Sequence, residues 1–398
     1  MLFQIILSIL AGIFAGTITG LIPGVHINLV GIFLISLSAT LLSFVLPIYF
    51  VVFVVAMAIT HTFVDFIPSV FLGCPDTDTE LSVLPGHELL KKGEGYQAVI
   101  LTCYGSILSI FTLMLIAFPA IILVPKIYNF VKDLIPFLLI IISIMLISIE
   151  RKKFTALGVF LLTGFLGWCI LNLEINQPLL PLLTGLFGSS MLIISIKNKI
   201  QIPQQEITNP AMKNLRPLAG AFLGSLLSSP LCSFLPGLGS GQAAIIGTAI
   251  SRSDKKGFLI LLGATNTLVM GFSFISLYAI SKTRTGAAVA IQEILGIPSL
   301  KILTLILFVV LISGAISFFL TKNLAKFFSQ KISKVNYTKI SIFTLFVLGI
   351  VVFLISGFFG LGVLLASTFT GIYCIHQKVK RTNMMGCLII PTIILYLF

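Results

Sequence analysis

His61 and Asp65 stand four residues apart in an apolar run, so on a helix they share one face. No Asp, Glu, Lys or Arg precedes Asp65. Ionisable side chains inside apolar segments are costly and mark ion or proton paths, and a His titrates near neutral pH. The pair therefore suits a proton relay or ion coupling, although a helix end in the headgroup zone would also accommodate Asp65. Asn266, beside Thr265 and flanked by Gly263 and Met270, is a second polar patch in an apolar run. Its oxygens could coordinate sodium, or its amide could simply bond between helices.

Two loops carry opposite charge. Asp76, Asp78 and Glu80 alternate in one; Lys282 and Arg284, followed by Thr285, lie in the other. They could form a salt-bridged gate between halves. Alternatively, Lys282, Arg284 and Thr285 hold an anionic substrate while Asp76 and Asp78 take a coupling cation, or both loops are solvated faces. Arg284 is the better anion anchor, because its planar fork grips a carboxylate or phosphate through two bonds.

The elements that would position these groups are read from two interrupted apolar runs. One reads Gly20-Leu21-Ile22-Pro23-Gly24-Val25-His26-Ile27-Asn28. The other reads Ser233-Phe234-Leu235-Pro236-Gly237-Leu238-Gly239-Ser240-Gly241. Pro lacks the amide donor and Gly favours non-helical backbone, so each run is expected to unwind there. Freed backbone groups survive in a bilayer only where protein buries them or a cavity exposes them. Broken helices at matching places in two halves point to the binding site of a secondary transporter. The substrate-binding candidates are thus Gly24, His26, Asn28, Gly237, Gly239, Ser240 and Gly241, with Lys282, Arg284 and Thr285. The ion-coupling candidates are His61, Asp65, Asp76, Asp78 and Asn266. A glycine-mediated helix crossing is the structural alternative at the breaks.

Of 398 residues, 58% are hydrophobic and 9% are charged, against about 25% charged in a soluble domain. The expected class is an all-α polytopic integral membrane protein of the cell membrane. It has about 10–12 transmembrane segments in two inverted repeats, with broken or re-entrant helices. The run Leu2–Ile22 lacks a basic flank and is read as retained structure, not a signal peptide. The net charge of +13 reflects basic loops between apolar runs, not nucleic acid. The six cysteines are scattered and the four histidines show no ligand spacing, so neither a metal site nor a disulfide is expected. No nucleophile elbow or phosphate loop is present, and the chain reads as a non-enzyme.

Residues 1–196 form the expected first repeat, 197–216 a cytoplasmic linker and 217–398 the second repeat. The basic stretches Arg151–Lys153, Lys197–Arg216, Lys322–Lys339 and Lys378–Arg381 would face the cytoplasm, with the turns at Asn172–Glu174 and Ser356–Phe359 outside. Ala11-Gly12 with Gly16 is echoed by Ala219-Gly220 with Gly224, and Ser69–Cys74 loosely by Ser276–Ser281.

Three stretches resemble the large permease subunit of tripartite tricarboxylate transporters. They are Gly12-x-x-x-Gly16-x-x-x-Gly20-Leu21-Ile22-Pro23-Gly24, then Pro85-Gly86-His87-Glu88-Leu89-Leu90-Lys91-Lys92-Gly93-Glu94-Gly95 leading into Gly105-Ser106, and Leu235-Pro236-Gly237-Leu238-Gly239. Pro85, His87 and Glu88 depart from the Asp, Tyr and Pro common in that family. The resemblance implies an inverted-repeat carrier that works with a small membrane subunit and an extracytoplasmic solute-binding protein. The expected function is secondary active transport of a small organic anion, plausibly a di- or tricarboxylate, by alternating access. No cofactor is expected beyond a coupling Na⁺ or H⁺. A translocase of polyprenyl-phosphate carrier lipid is the alternative, with Lys282 and Arg284 on the phosphate, and a non-transporting scaffold or receptor the third reading.

Overall fold

The computed structural model describes all residues except 1, 23–26, 28–29, 32–33, 36–44, 74–78, 132, 149, 199–201, 211–214, 235–239, 252–253, 283–284, 335 and 398. Among the described residues the chain is helical and without strands. In the first half the helices are α1 (Leu2–Leu21), α2 (Pro47–Val64), α3 (Phe66–Phe71), α4 (Val83–Lys91), α5 (Gly95–Val131), α6 (Ile135–Ser148), α7 (Lys153–Leu171) and α8 (Leu179–Lys197). In the second half they are α9 (Leu215–Phe234), α10 (Ser240–Ser251), α11 (Lys255–Ile280), α12 (Gly286–Leu295), α13 (Leu300–Ile332), α14 (Tyr337–His376) and α15 (Gly386–Leu397).

Among the described residues, eight helical stretches are long and apolar enough to cross a membrane, fewer than the 10–12 segments expected. Part of the difference lies in α14. Ser190 packs on Gly371, while Leu192, two residues on, packs on Leu348. In a straight helix residues 348 and 371 would lie about 35 Å apart. The chain therefore reverses at Gly357, whose φ of 69° and ψ of −163° are non-helical and suit a residue without Cβ. This is the turn expected at Ser356–Phe359, so α14 is a hairpin of two legs. Another element outside these eight is α6, whose 14 residues rise about 21 Å, less than a hydrocarbon core of about 30 Å.

Contacts between helices fix their directions. Gly12, Gly16 and Gly20 of α1 abut Ala56, Met57, Thr60 and Val64 in order, so α1 and α2 run parallel. α2 also runs parallel to α13, through Ile59 near Gly314, Thr60 bonded to Ser317 and Phe71 stacked on Phe328. α5 and α11 run parallel to each other, through Thr102 against Gly263 and Leu113 against Gly271. α5 and α13 are antiparallel, since Tyr104 stacks on Phe318 while Ile110 meets Gly314. The order α1, α2–α3, α5 is thus repeated by α9, α11, α13 with directions reversed, α4 and α12 standing at the same place in the order.

One face gathers the basic loops. Lys255 pairs with Glu88, Lys256 lies 3.3 Å from Glu94, and the Lys380 amide donates to Glu150 at 3.2 Å. The segment after α8 is strapped to the α4–α5 joint. The Gln205 side chain accepts from Gly95 N at 2.8 Å and donates to the Leu90 carbonyl at 3.0 Å, and Glu206 N donates to the Gly93 carbonyl at 2.7 Å. Gly93 has φ of 85°, and a Cβ there would lie 2.9 Å from the Gln204 carbonyl. The Lys-Lys-Gly stretch therefore owes its glycine to this strap, while Lys91 and Lys92 remain exposed.

Nearly all of α2, α3 and α11 is buried, whereas α1 and both legs of α14 present broad apolar faces outward. In water such faces would be a liability; against lipid they are ordinary.

Candidate functional site

α5 and α11 cross closely at the centre because glycines let them approach. A Cβ on Gly105 of α5 would strike the Ile260 carbonyl, and one on Gly263 of α11 would strike the Thr102 carbonyl. Ser106 reaches across this contact to the Gly263 carbonyl at 3.0 Å. The Gly105-Ser106 pair thus sets the height of Thr265 and Asn266. Asn266 stands 11 residues beyond Lys255 on the basic face, about 16 Å deep along the helix.

Asp65 separates α2 from α3. Pro68 cannot donate to the Val64 carbonyl, and its ring crowds the preceding turn, so the helix is interrupted here. The Ser69 hydroxyl takes up the Asp65 carbonyl at 3.0 Å. The Asp65 side chain is 3% exposed and accepts from Asn266 Nδ2 at 2.8 Å. Beside it Thr62 and Thr267 share a hydrogen bond at 3.3 Å. Asp65 is therefore deep between the halves, not in a headgroup zone. Asn266 bonds between helices, while Thr265 bonds back to the Leu261 carbonyl in its own helix.

His61, 1% exposed, shares a hydrogen bond with Thr19 of α1 at 3.1 Å. α2 thus offers His61 to α1 and Asp65 to α11. Gly20 packs on Val64, so α1 ends at the depth of Asp65, immediately before the first Pro-Gly pair.

α9 and α10 form the complementary hairpin. Gly220 faces Ser251 and Gly224 faces Gly247, so both outer ends lie on the basic face. Ser240 and Gly241, both buried, open α10 about 16 Å below that face, level with Asn266. The glycine spacings that echo one another thus serve helix crossings in both halves, with different neighbours: α2 for α1, α10 for α9.

A pair of hydroxyl bonds repeats across the halves. Ser69 and Thr79 share one at 2.6 Å; Ser273 and Thr285 share one at 2.7 Å. Each joins a core helix to the start of the segment that follows it. The equivalent of Ser69 is Ser273, three residues before the Ser276 suggested by the sequence echo. Ser276 instead faces Ser233 at 3.4 Å. Thr285 also caps α12, and Gly286 abuts Gly31 from the first half. Lys282 is exposed just past α11 and is not part of this buried cluster.

Gly24, His26, Asn28, Asp76, Asp78, Gly237, Gly239 and Arg284 lie outside the described residues, as do Pro23 and Pro236. Among the described residues no three His, Cys, Asp or Glu side chains converge as a metal site would need.

Sequence reasoning passed over His87. Its Nδ1 lies 2.9 Å from the Val70 carbonyl, so Nδ1 carries the proton and Nε2 accepts from the Tyr337 hydroxyl at 2.9 Å. Burial lowers its pKa to about 4, which keeps it neutral. Its place in the Pro85–Gly95 stretch was the available signal.

The sequence pattern described as the tripartite tricarboxylate transporter TctA family matches residues 6–386. The uncharacterized protein MJ1079 of Methanocaldococcus jannaschii is 32% identical over 403 residues, covering 98% of this chain and 99% of that protein. No solved structure matches the chain. A polytopic helical protein, matched along nearly its whole length, belongs to the tripartite tricarboxylate transporter TctA family.

Proposed function

We propose that the protein is the ion-coupled permease of such a system, moving a small organic anion, a di- or tricarboxylate, by alternating access. The observation that carries this reading is the Asp65–Asn266 contact. It puts a buried carboxylate and an amide carbonyl at mid-depth, on the seam between oppositely directed halves. A carboxylate there is the natural ligand of a Na⁺ or H⁺, and its charge state biases how the halves sit. α1 ends at Leu21 and α10 begins at Ser240 at about this depth, and in this reading their free backbone groups hold the anion.

Residues 1–196 and 217–398 are the two repeats in this reading, and 197–216 the cytoplasmic linker held by Gln205. The gathering of basic loops on one face supports calling it cytoplasmic. Family membership supports a small membrane subunit and an extracytoplasmic binding protein as partners. It also favours this reading over a carrier-lipid translocase, whose phosphate would need Lys282 and Arg284 at a portal.

The test is uptake of labelled citrate and succinate by vesicles carrying the protein and its partner subunits under an imposed Na⁺ or H⁺ gradient. Accumulation driven by one gradient and lost in Asp65→Asn is the expected result. Accumulation that ignores both gradients sinks the coupling claim. Arg284→Ala in the same assay should raise the KM for the anion; unchanged kinetics remove Arg284 from the site.

A further inference from the structure

A cavity opens on the basic face, apart from the mid-depth site. It holds about 280 Å³ and lies between α4, α8, the segment before α15, Thr248 of α10 and the start of α11. Leu81, Pro85, Phe187 and Phe258 give it apolar walls, and Arg381 lines it.

Arg381 is 9% exposed, yet among the described residues no carboxylate holds it. Among the described residues its Nη2 approaches only the Met191 sulfur, at 3.5 Å, and its Nη1 has no hydrogen-bond partner. The acids that line the cavity are already engaged. Glu88 is paired with Lys255, and Asp254 accepts from Gly257 N at 2.8 Å as the cap of α11. Glu150 nearby takes the Lys380 amide and the Asn383 side chain. The charges acting on the neighbouring His87 include Lys91 and Arg381, so the local field is positive. Burial lowers Arg381 to about 10, which still leaves it charged at neutral pH. A buried guanidinium left in this state is expensive, and a planar oxyanion is the partner its geometry fits.

We infer that this cavity is a binding site for an amphiphilic oxyanion, a carboxylate or phosphate held by Arg381 with its apolar part against Phe187 and Phe258. The anion has two sources with one chemistry: a free metabolite-like acid or the headgroup of an acidic lipid. The inference stands independently of transport, because it concerns occupancy of the basic face.

The test uses the purified full-length protein in nanodiscs of neutral lipid. One arm titrates citrate, inorganic phosphate and octanoate; the other replaces part of the neutral lipid with phosphatidylglycerol. Thermal unfolding and native mass spectrometry read binding. A stabilising, saturable shift in one arm is expected, and that arm names the source. Arg381→Gln should weaken binding by about 10- to 100-fold, the loss of a charge-assisted contact. Thr248→Phe fills the cavity from the opposite wall while keeping Arg381, and should also abolish the shift. It decides the matter if Arg381→Gln does not yield folded protein. No shift in either arm, or equal binding by wild type and Thr248→Phe, overturns the site.

Discussion

The seam at mid-depth and the junction on the basic face are both built of buried polar groups, but they are bonded differently. On the basic face the partners are mostly backbone: Gln205 on Leu90 and Gly95, His87 on Val70, Glu206 on Gly93. Such bonds tie segments of different parts of the chain together and cost stability when cut. At the seam a carboxylate meets an amide side chain, and hydroxyls meet hydroxyls. Side chains of this kind can exchange partners without unravelling a helix. The difference separates a region fitted for holding from one fitted for switching.

The sharpest way to break that comparison is Asp65→Asn. Gradient-driven uptake should fall by about 100-fold or more, while thermal stability in detergent stays close to wild type, because an amide still fits beside Asn266. A protein that unfolds instead would make Asp65 a structural residue. Next is acid. His87 has a folded pKa of about 4, below an unfolded value of about 6.5. The unfolded chain therefore binds the proton more readily, and the stability His87 contributes is complete above about pH 6.5 and is lost as pH falls towards 4. Unfolding temperature should drop over that window. His87→Gln, which removes the titration beside Lys91, Arg381 and Tyr337, should flatten the slope; an unchanged slope assigns it to other groups.

Gln205→Ala removes two bonds of the linker strap and should cost about 2 kcal/mol, seen as a lower unfolding temperature with the KM for anion unchanged. The smallest effects belong to the repeated hydroxyls. Ser69→Ala and Ser273→Ala should each cost about 1 kcal/mol, and by similar amounts if the two bonds are true equivalents. A large effect on uptake from one alone would show that the halves have diverged in use.

Much of this was legible in the sequence. Apolar run lengths gave the class and most helices, basic loops gave the common face, and Gly357 lies in the turn expected from Ser356–Phe359. Family motifs are local, so they survive in one dimension. What was hidden depends on crossings. That Asp65 meets Asn266, 201 residues away, depends on how the fold brings the α2–α3 joint against α11, which no spacing reveals. Arg381 read as one more loop cation because its burial depends on Phe187 and Met191, nearly 200 residues earlier. The register of the hydroxyl pairs slipped by three residues, because one helical turn leaves apolar content unchanged.

α1 points inward from the face opposite the basic loops, and residues 1–64 contain no Lys, Arg, Asp or Glu. Insertion machinery that weighs positive charge finds nothing to weigh while this segment emerges. The first positive charges after this segment are Lys91 and Lys92, exposed beside the α4–α5 joint. Moving two lysines into the segment ahead of Ile5 would set an early instruction against this later one.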